Sequence, residues 1–166
     1  MNGRVSNAMR EACESQDLPR VLALAEDGEF LDGWDRFGDT PLVLAVKAGG
    51  IELEKLLILR GAGLETADRR GETPLMWAAR LGDLESIAYL VASGANVNTR
   101  SPYGGNALMC ASQTGKLTAV GKLLALGADP LARADNGTTA IELAHDGGFL
   151  DVVDLLLESV SRGGSR

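Results

Sequence analysis

The stretch Gly71-Glu72-Thr73-Pro74-Leu75-Met76-Trp77-Ala78-Ala79-Arg80-Leu81-Gly82 spells a turn, a helix start, a short helix and a stop. Thr73 is a good N-cap, because its hydroxyl accepts from a free amide of the first turn. Pro74 falls at the first helical position, where its missing N–H costs nothing. Leu75, Ala78 and Ala79 give an apolar face at spacings of three and four. Gly82 follows the helix where a left-handed residue is wanted.

The same marks return every 33 residues without insertion or deletion. Gly38, Gly71, Gly104 and Gly137 open the units, and Thr40, Thr73, Asn106 and Thr139 are all N-cap types. Leu42, Leu75, Leu108 and Ile141 are the first core positions, followed by Ala45, Ala78, Ala111 and Ala144. Gly49, Gly82, Gly115 and Gly148 stop the first helix; Leu57, Leu90, Leu123 and Leu156 sit in the second; Gly61, Gly94 and Gly127 close it. A strict period of this length with a Thr-Pro-Leu-x-x-Ala core predicts an array of helix-turn-helix units.

The units resemble ankyrin repeats. The resemblance rests on Thr40-Pro41-Leu42, Thr73-Pro74-Leu75, Gly94-Ala95-Asn96-Val97-Asn98 and Gly127-Ala128-Asp129, and covers roughly residues 5–160. Val43, Met76, Met109 and Glu142 stand where the family usually has His, and Ala107 and Ala140 replace its Pro in the third and fourth copies. The expected fold is all-α, a solenoid of about five units in one domain over 1–160: a degenerate N-terminal cap (1–33), full units at 34–66, 67–99 and 100–132, and a last unit at 133–160. In the cap, Asn7, Ala8, Met9 and Ala12 stand in register with Thr40, Pro41, Leu42 and Ala45, and Gly28 with Gly61. Charged residues suit a terminal unit, one face of which meets water. Residues 161–166 read as a flexible polar tail.

Composition narrows the function. The chain has 166 residues and a net charge of −7, which disfavours nonspecific nucleic-acid binding. Cys13 and Cys110 lie in different helices without zinc-ligand spacing and read as buried, reduced thiols, suited to a reducing, cytoplasmic compartment. The first ten residues carry no signal-peptide apolar core, and no apolar run reaches the ~18 residues of a membrane span. One histidine, His145, excludes a histidine-rich metal site, and no Gly-rich stretch ends in a phosphate-loop Gly-Lys-Ser/Thr. Asp35 and Asp68 read as acceptors within their own turns. No catalytic constellation is present, so no enzyme activity and no cofactor are expected.

The resemblance implies a non-enzymatic protein-binding module, an adaptor or an inhibitor, with a concave face made of hairpin tips and exposed first-helix edges. Carried onto this chain, the partner-binding candidates are Trp34, Arg36, Phe37, Lys47, Arg69, Arg70, Glu72, Arg80, Leu81, Arg100, Tyr103, Gln113 and Arg133. The predicted face as a whole holds seven basic residues, all among these candidates, against four acidic ones, Asp39, Glu72, Asp135 and Asp146. It therefore opposes the charge of the chain, and the expected partner is a protein bearing an acidic segment. Trp34, Phe37 and Tyr103 lie at turns that do not by themselves call for aromatics. Trp77 shares its register with Leu44, Cys110 and Leu143 and reads as core, while Met76 and Met109 are placed beside the groove. The alternative is a self-assembling unit that associates through the apolar last helix (Leu150, Val152, Val153, Leu155, Leu156, Leu157). A monomer is expected under the first reading and a homo-oligomer under the second.

Overall fold

The computed structural model describes residues 5–26 and 31–163. Among them are ten α-helices in five helix-turn-helix pairs: α1 (Asn7–Glu14) with α2 (Leu18–Glu26), α3 (Pro41–Ala48) with α4 (Ile51–Leu59), α5 (Pro74–Leu81) with α6 (Leu84–Ala92), α7 (Ala107–Gln113) with α8 (Leu117–Ala125), and α9 (Ala140–Asp146) with α10 (Leu150–Gly163). The chain divides into two compact units, the first ending at Pro74 and the second beginning at Leu75. In the first, α1 packs on α3; in the second, α7 packs on α9, and α8 packs on both α6 and α10. Gly28 lies outside the described residues.

The helix starts follow the cap chemistry. The Thr40 hydroxyl accepts from Val43 N–H at 3.2 Å, and the Asn106 amide oxygen accepts from Met109 N–H at 3.0 Å. Thr139 and Glu142 form a reciprocal capping box, whose bonds from the Thr139 N–H and hydroxyl lower the Glu142 pKa. The first unit is displaced by one residue. Ser6, not Asn7, caps α1, accepting from Met9 N–H at 3.0 Å, so Asn7 enters the helix.

The core is the repeated apolar register. Ala45, Ala78, Ala111 and Ala144 are fully buried, as are Leu90, Leu123 and Leu156, with Leu57 at 1%. Small residues at the first position let helices approach; leucines at the second supply the apolar area. Met76 and Met109 are buried at 2% and 3%, so they belong to this core and do not line a groove. Both thiols are buried, and burial pushes that of Cys13 up to about 12.

At the helix stops, Gly49, Gly82, Gly115 and Gly148 all have positive φ, and the cap unit puts Gln16 there, at φ 55. The left-handed conformation costs a side-chain-bearing residue roughly 1 kcal/mol. Against that cost, the Gln16 side-chain amide donates to the Ala48 carbonyl at 2.7 Å and satisfies an end carbonyl of α3.

Glu54 breaks the apolar register. It is fully buried where the other units carry Val21, Ile87, Val120 and Val153. Burying a carboxylate costs more than burying an aliphatic chain, even when it is paired. Glu54→Ile is expected to stabilise the protein by about 1–2 kcal/mol, seen as a higher urea midpoint at unchanged slope.

α10 runs three residues beyond 160, to Gly163, into the stretch expected to be a tail. The Arg162 guanidinium meets the Glu158 carboxylate at 3.1 Å one turn back, a favourable pair at a helix C-terminus.

Candidate partner-binding surface

Three of the four hairpins between units are organised by the residue after the inter-unit position; in the last that residue is Ala134, and the Asn136 side chain accepts from Thr138 N–H at 3.0 Å instead. The Asp35 carboxylate accepts from Phe37 N–H at 2.8 Å and from Asp39 N–H at 2.9 Å. Asp68 does the same for Arg70 at 2.8 Å and Glu72 at 3.0 Å. Ser101 keeps only the second bond, its hydroxyl accepting from Gly105 N–H at 3.1 Å. Asp35 is also paired with Arg10, which reaches Glu14 as well. Burial alone would raise the Asp35 pKa; the bonds from Asp39 N–H, the Arg10 guanidinium and Phe37 N–H outweigh it and hold it below the ordinary carboxylate value.

Side chains then tie one hairpin to the next. The indole N–H of Trp34 donates to the Ala67 carbonyl at 2.8 Å, and Arg100, at the equivalent position two units on, donates to the Arg133 carbonyl at 2.8 Å. Trp34 is thus used between units and not within its own turn: an indole N–H and a guanidinium N–H both reach the next backbone. A second pair of braces sits two residues earlier. Asp32 accepts from Gly63 N–H at 2.7 Å, and Asn98 accepts from Asp129 N–H at 2.9 Å while donating to the Gly127 carbonyl at 3.1 Å. The sequence signal of these polar braces is their 66-residue spacing, twice the period.

The repeated hairpins and helix pairs agree with the family comparison, in which the model for ankyrin repeats in three copies matches residues 9–101. The chain belongs to the ankyrin-repeat family. No curated protein matches it. Ankyrin repeats are in general protein–protein interaction modules and typically non-catalytic. Among the described residues no helix is long and apolar enough to cross a membrane, and no cluster of three His, Cys, Asp or Glu side chains is placed to hold a metal ion.

The candidate contact residues of this ankyrin-repeat chain separate into those engaged in the fold and those presented outward. In the first unit, Lys47 meets Asp39 at 2.5 Å, and Glu72 takes part in the Asp68 turn through its backbone. Arg36, Arg69 and Arg70 are exposed and make no ion pair among the described residues. Phe37 is 60% exposed, with the Arg10 and Arg36 guanidinium groups over its ring at 4.4 and 4.7 Å.

In the second unit, Arg80 donates to the Gln113 side chain at 3.2 Å and to Cys110 Sγ at 3.6 Å, and lies 5.8 Å from the ring centroid of Trp77. Trp77 is half-buried beneath it, not fully in the core as its register suggested, because an indole outgrows a slot that Cys110 fills in the next unit. Arg100 also pairs with Asp135 at 2.9 Å, and Arg133 donates to the Gly137 carbonyl at 3.0 Å. Gln113 and Leu81 are exposed, and Tyr103 is 76% exposed.

Proposed function

We propose that this ankyrin-repeat chain is a non-enzymatic binding module that receives a protein partner on its hairpin tips and first-helix edges, through a segment of acidic character. The observation that supports this is the exposed set Arg36, Arg69 and Arg70 beside Phe37, on a chain of net charge −7. Arginine and aromatic residues are the side chains most often found to carry binding energy. A preformed scaffold lowers the ordering cost of association. Internal compartments with reduced thiols suit its two buried cysteines.

The test is affinity capture from cells of the source organism, with a variant carrying Arg36→Ala, Arg69→Ala and Arg70→Ala as control. A protein retained by the native chain and lost from the variant supports the assignment. Equal retention by both would place the interface elsewhere.

A second reading is self-association through the last helix, favoured by the exposure of Leu150 and Leu157 on α10, at 64% and 51%. Light scattering across a concentration series decides it: a constant monomer mass eliminates stable assembly by that route.

A further inference from the structure

The basic candidates are not equivalent, and the difference follows the chain. In the second unit, every basic candidate is occupied: Arg80 by Gln113 and Cys110, Arg100 by Asp135 and the Arg133 carbonyl, Arg133 by the Gly137 carbonyl. The last hairpin is acidic and polar instead. An open hollow of about 410 Å³ there is lined by Asn136, Gly137, Thr138, Glu142 and Asp146. In the first unit, Arg36, Arg69 and Arg70 are exposed and make no ion pair among the described residues, on two successive hairpins at 34–38 and 67–71; the Arg36 guanidinium lies over the Phe37 ring at 4.7 Å.

These two hairpins are fastened together. Arg69 N–H donates to the Gly38 carbonyl at 2.8 Å. The aliphatic stem of Arg69 lies against Gly38, so closely that a Cβ on that glycine would meet it at 2.5 Å. Arg69 is thus held against the hairpin that presents Arg36 and the exposed ring of Phe37, and Arg70 follows it. The carboxylates nearby are already committed: Asp35 to Arg10 and two backbone amides, Asp39 to Lys47.

Resting on the protein-binding reading above, we infer that the acidic part of the partner is short and docks on these two hairpins alone, with Phe37 receiving an adjacent apolar side chain. Stacked helices sit roughly 8–10 Å apart, and an extended chain advances about 3.3 Å per residue. Two hairpins one repeat apart are therefore spanned by about three residues, and the matching motif is two acidic positions about three residues apart beside an aliphatic or aromatic residue. Bidentate arginine–carboxylate geometry suits such a ligand.

The test is fluorescence polarisation with a labelled glycine–serine peptide carrying two glutamate pairs at that spacing and one leucine. Its controls are the same peptide with lysine for glutamate and a short single-stranded oligothymidine. The expected result is binding of the glutamate peptide that weakens with salt. It falls about tenfold or more in Arg36→Glu/Arg69→Glu/Arg70→Glu and in Phe37→Ser, and changes less than about twofold in Arg100→Gln/Arg133→Gln. Circular dichroism checks folding; if the triple variant is not folded, Arg70→Glu alone is expected to show the larger share of the loss over Arg133→Gln alone. Equal losses in both arginine sets would overturn the confinement to two hairpins while leaving an acidic ligand in place. No binding of the glutamate peptide, equal binding of the lysine peptide, or tighter binding of the oligothymidine would overturn the acidic-segment assignment itself.

Discussion

Asp35→Ala is expected to lower the free energy of unfolding by about 3 kcal/mol, with the helices still forming but the first hairpin loosened. The side chain is buried, and its loss leaves the Phe37 and Asp39 amides without their acceptor. It also strands Arg10, a partly buried guanidinium that would keep its contacts with Glu14, Asp39 and the Phe37 ring but lose its buried carboxylate partner. Each backbone bond is worth about 1 kcal/mol net, and an abandoned buried charge costs more. Asp35→Asn separates the contributions, because an amide oxygen still accepts the backbone bonds; about half the loss is expected to remain.

The same residue sets a pH dependence. The folded pKa of Asp35 lies below its ordinary value, so the stabilisation is complete above about pH 5 and is lost as pH falls through the folded pKa. Urea titrations between about pH 6 and 2 are expected to show a shallower acid-side decline for Asp35→Asn than for the native chain. Parallel curves would mean that Asp35 is not the titrating group.

Gly104→Ala is expected to cost a similar amount, about 2–3 kcal/mol, by a different route. Gly104 has φ 77, where an alanine pays roughly 1 kcal/mol in backbone energy. The added methyl would also stand 2.7 Å from the Asp135 backbone nitrogen and 2.4–2.5 Å from the Asp135 carboxylate and the Arg100 guanidinium. The bond from Asp135 N–H to the Tyr103 carbonyl, 3.1 Å, must then open, and the Arg100–Asp135 pair must move. Gly127→Ala is the comparison: its φ is also positive, but nothing lies within 4 Å, so only the backbone term of about 1 kcal/mol is expected. Denaturant midpoints that fell equally for the two variants would show that the packing around Gly104 carries no energy.

How much of this was legible in the residues alone depends on the reach of each interaction. Caps and stops act within one turn of helix, so Thr40, Asn106, Thr139 and the glycines after each helix could be assigned from their neighbours. The apolar register could be assigned because a repeating array needs the same small and large residues at the same places. Even there, Ser6 displaced Asn7 as a cap, since two adjacent cap residues compete for one helix start and only their geometry decides.

The candidate surface was legible as a set of positions but not as a set of available charges. Arg69 stands at a hairpin tip and Arg100 at an inter-unit position, and both are surface arginines; among the described residues the first makes no ion pair, and the second is spent on a carbonyl 33 residues away and on Asp135. Nothing within its own turn requires the indole of Trp34, whereas its N–H bonds to the backbone of the following unit. The burial of Glu54 is legible only through the period, because Val21, Ile87, Val120 and Val153 hold its register in the other units while its charge by itself points to solvent. What the sequence determined by itself was the repeating frame: helix starts, stops and core positions, all set by backbone conformation and apolar spacing over a few residues. Which polar side chains brace neighbouring repeats, and which are left facing solvent, was decided by the tertiary structure, because a hydrogen bond between residues one period apart exists only once the units have stacked.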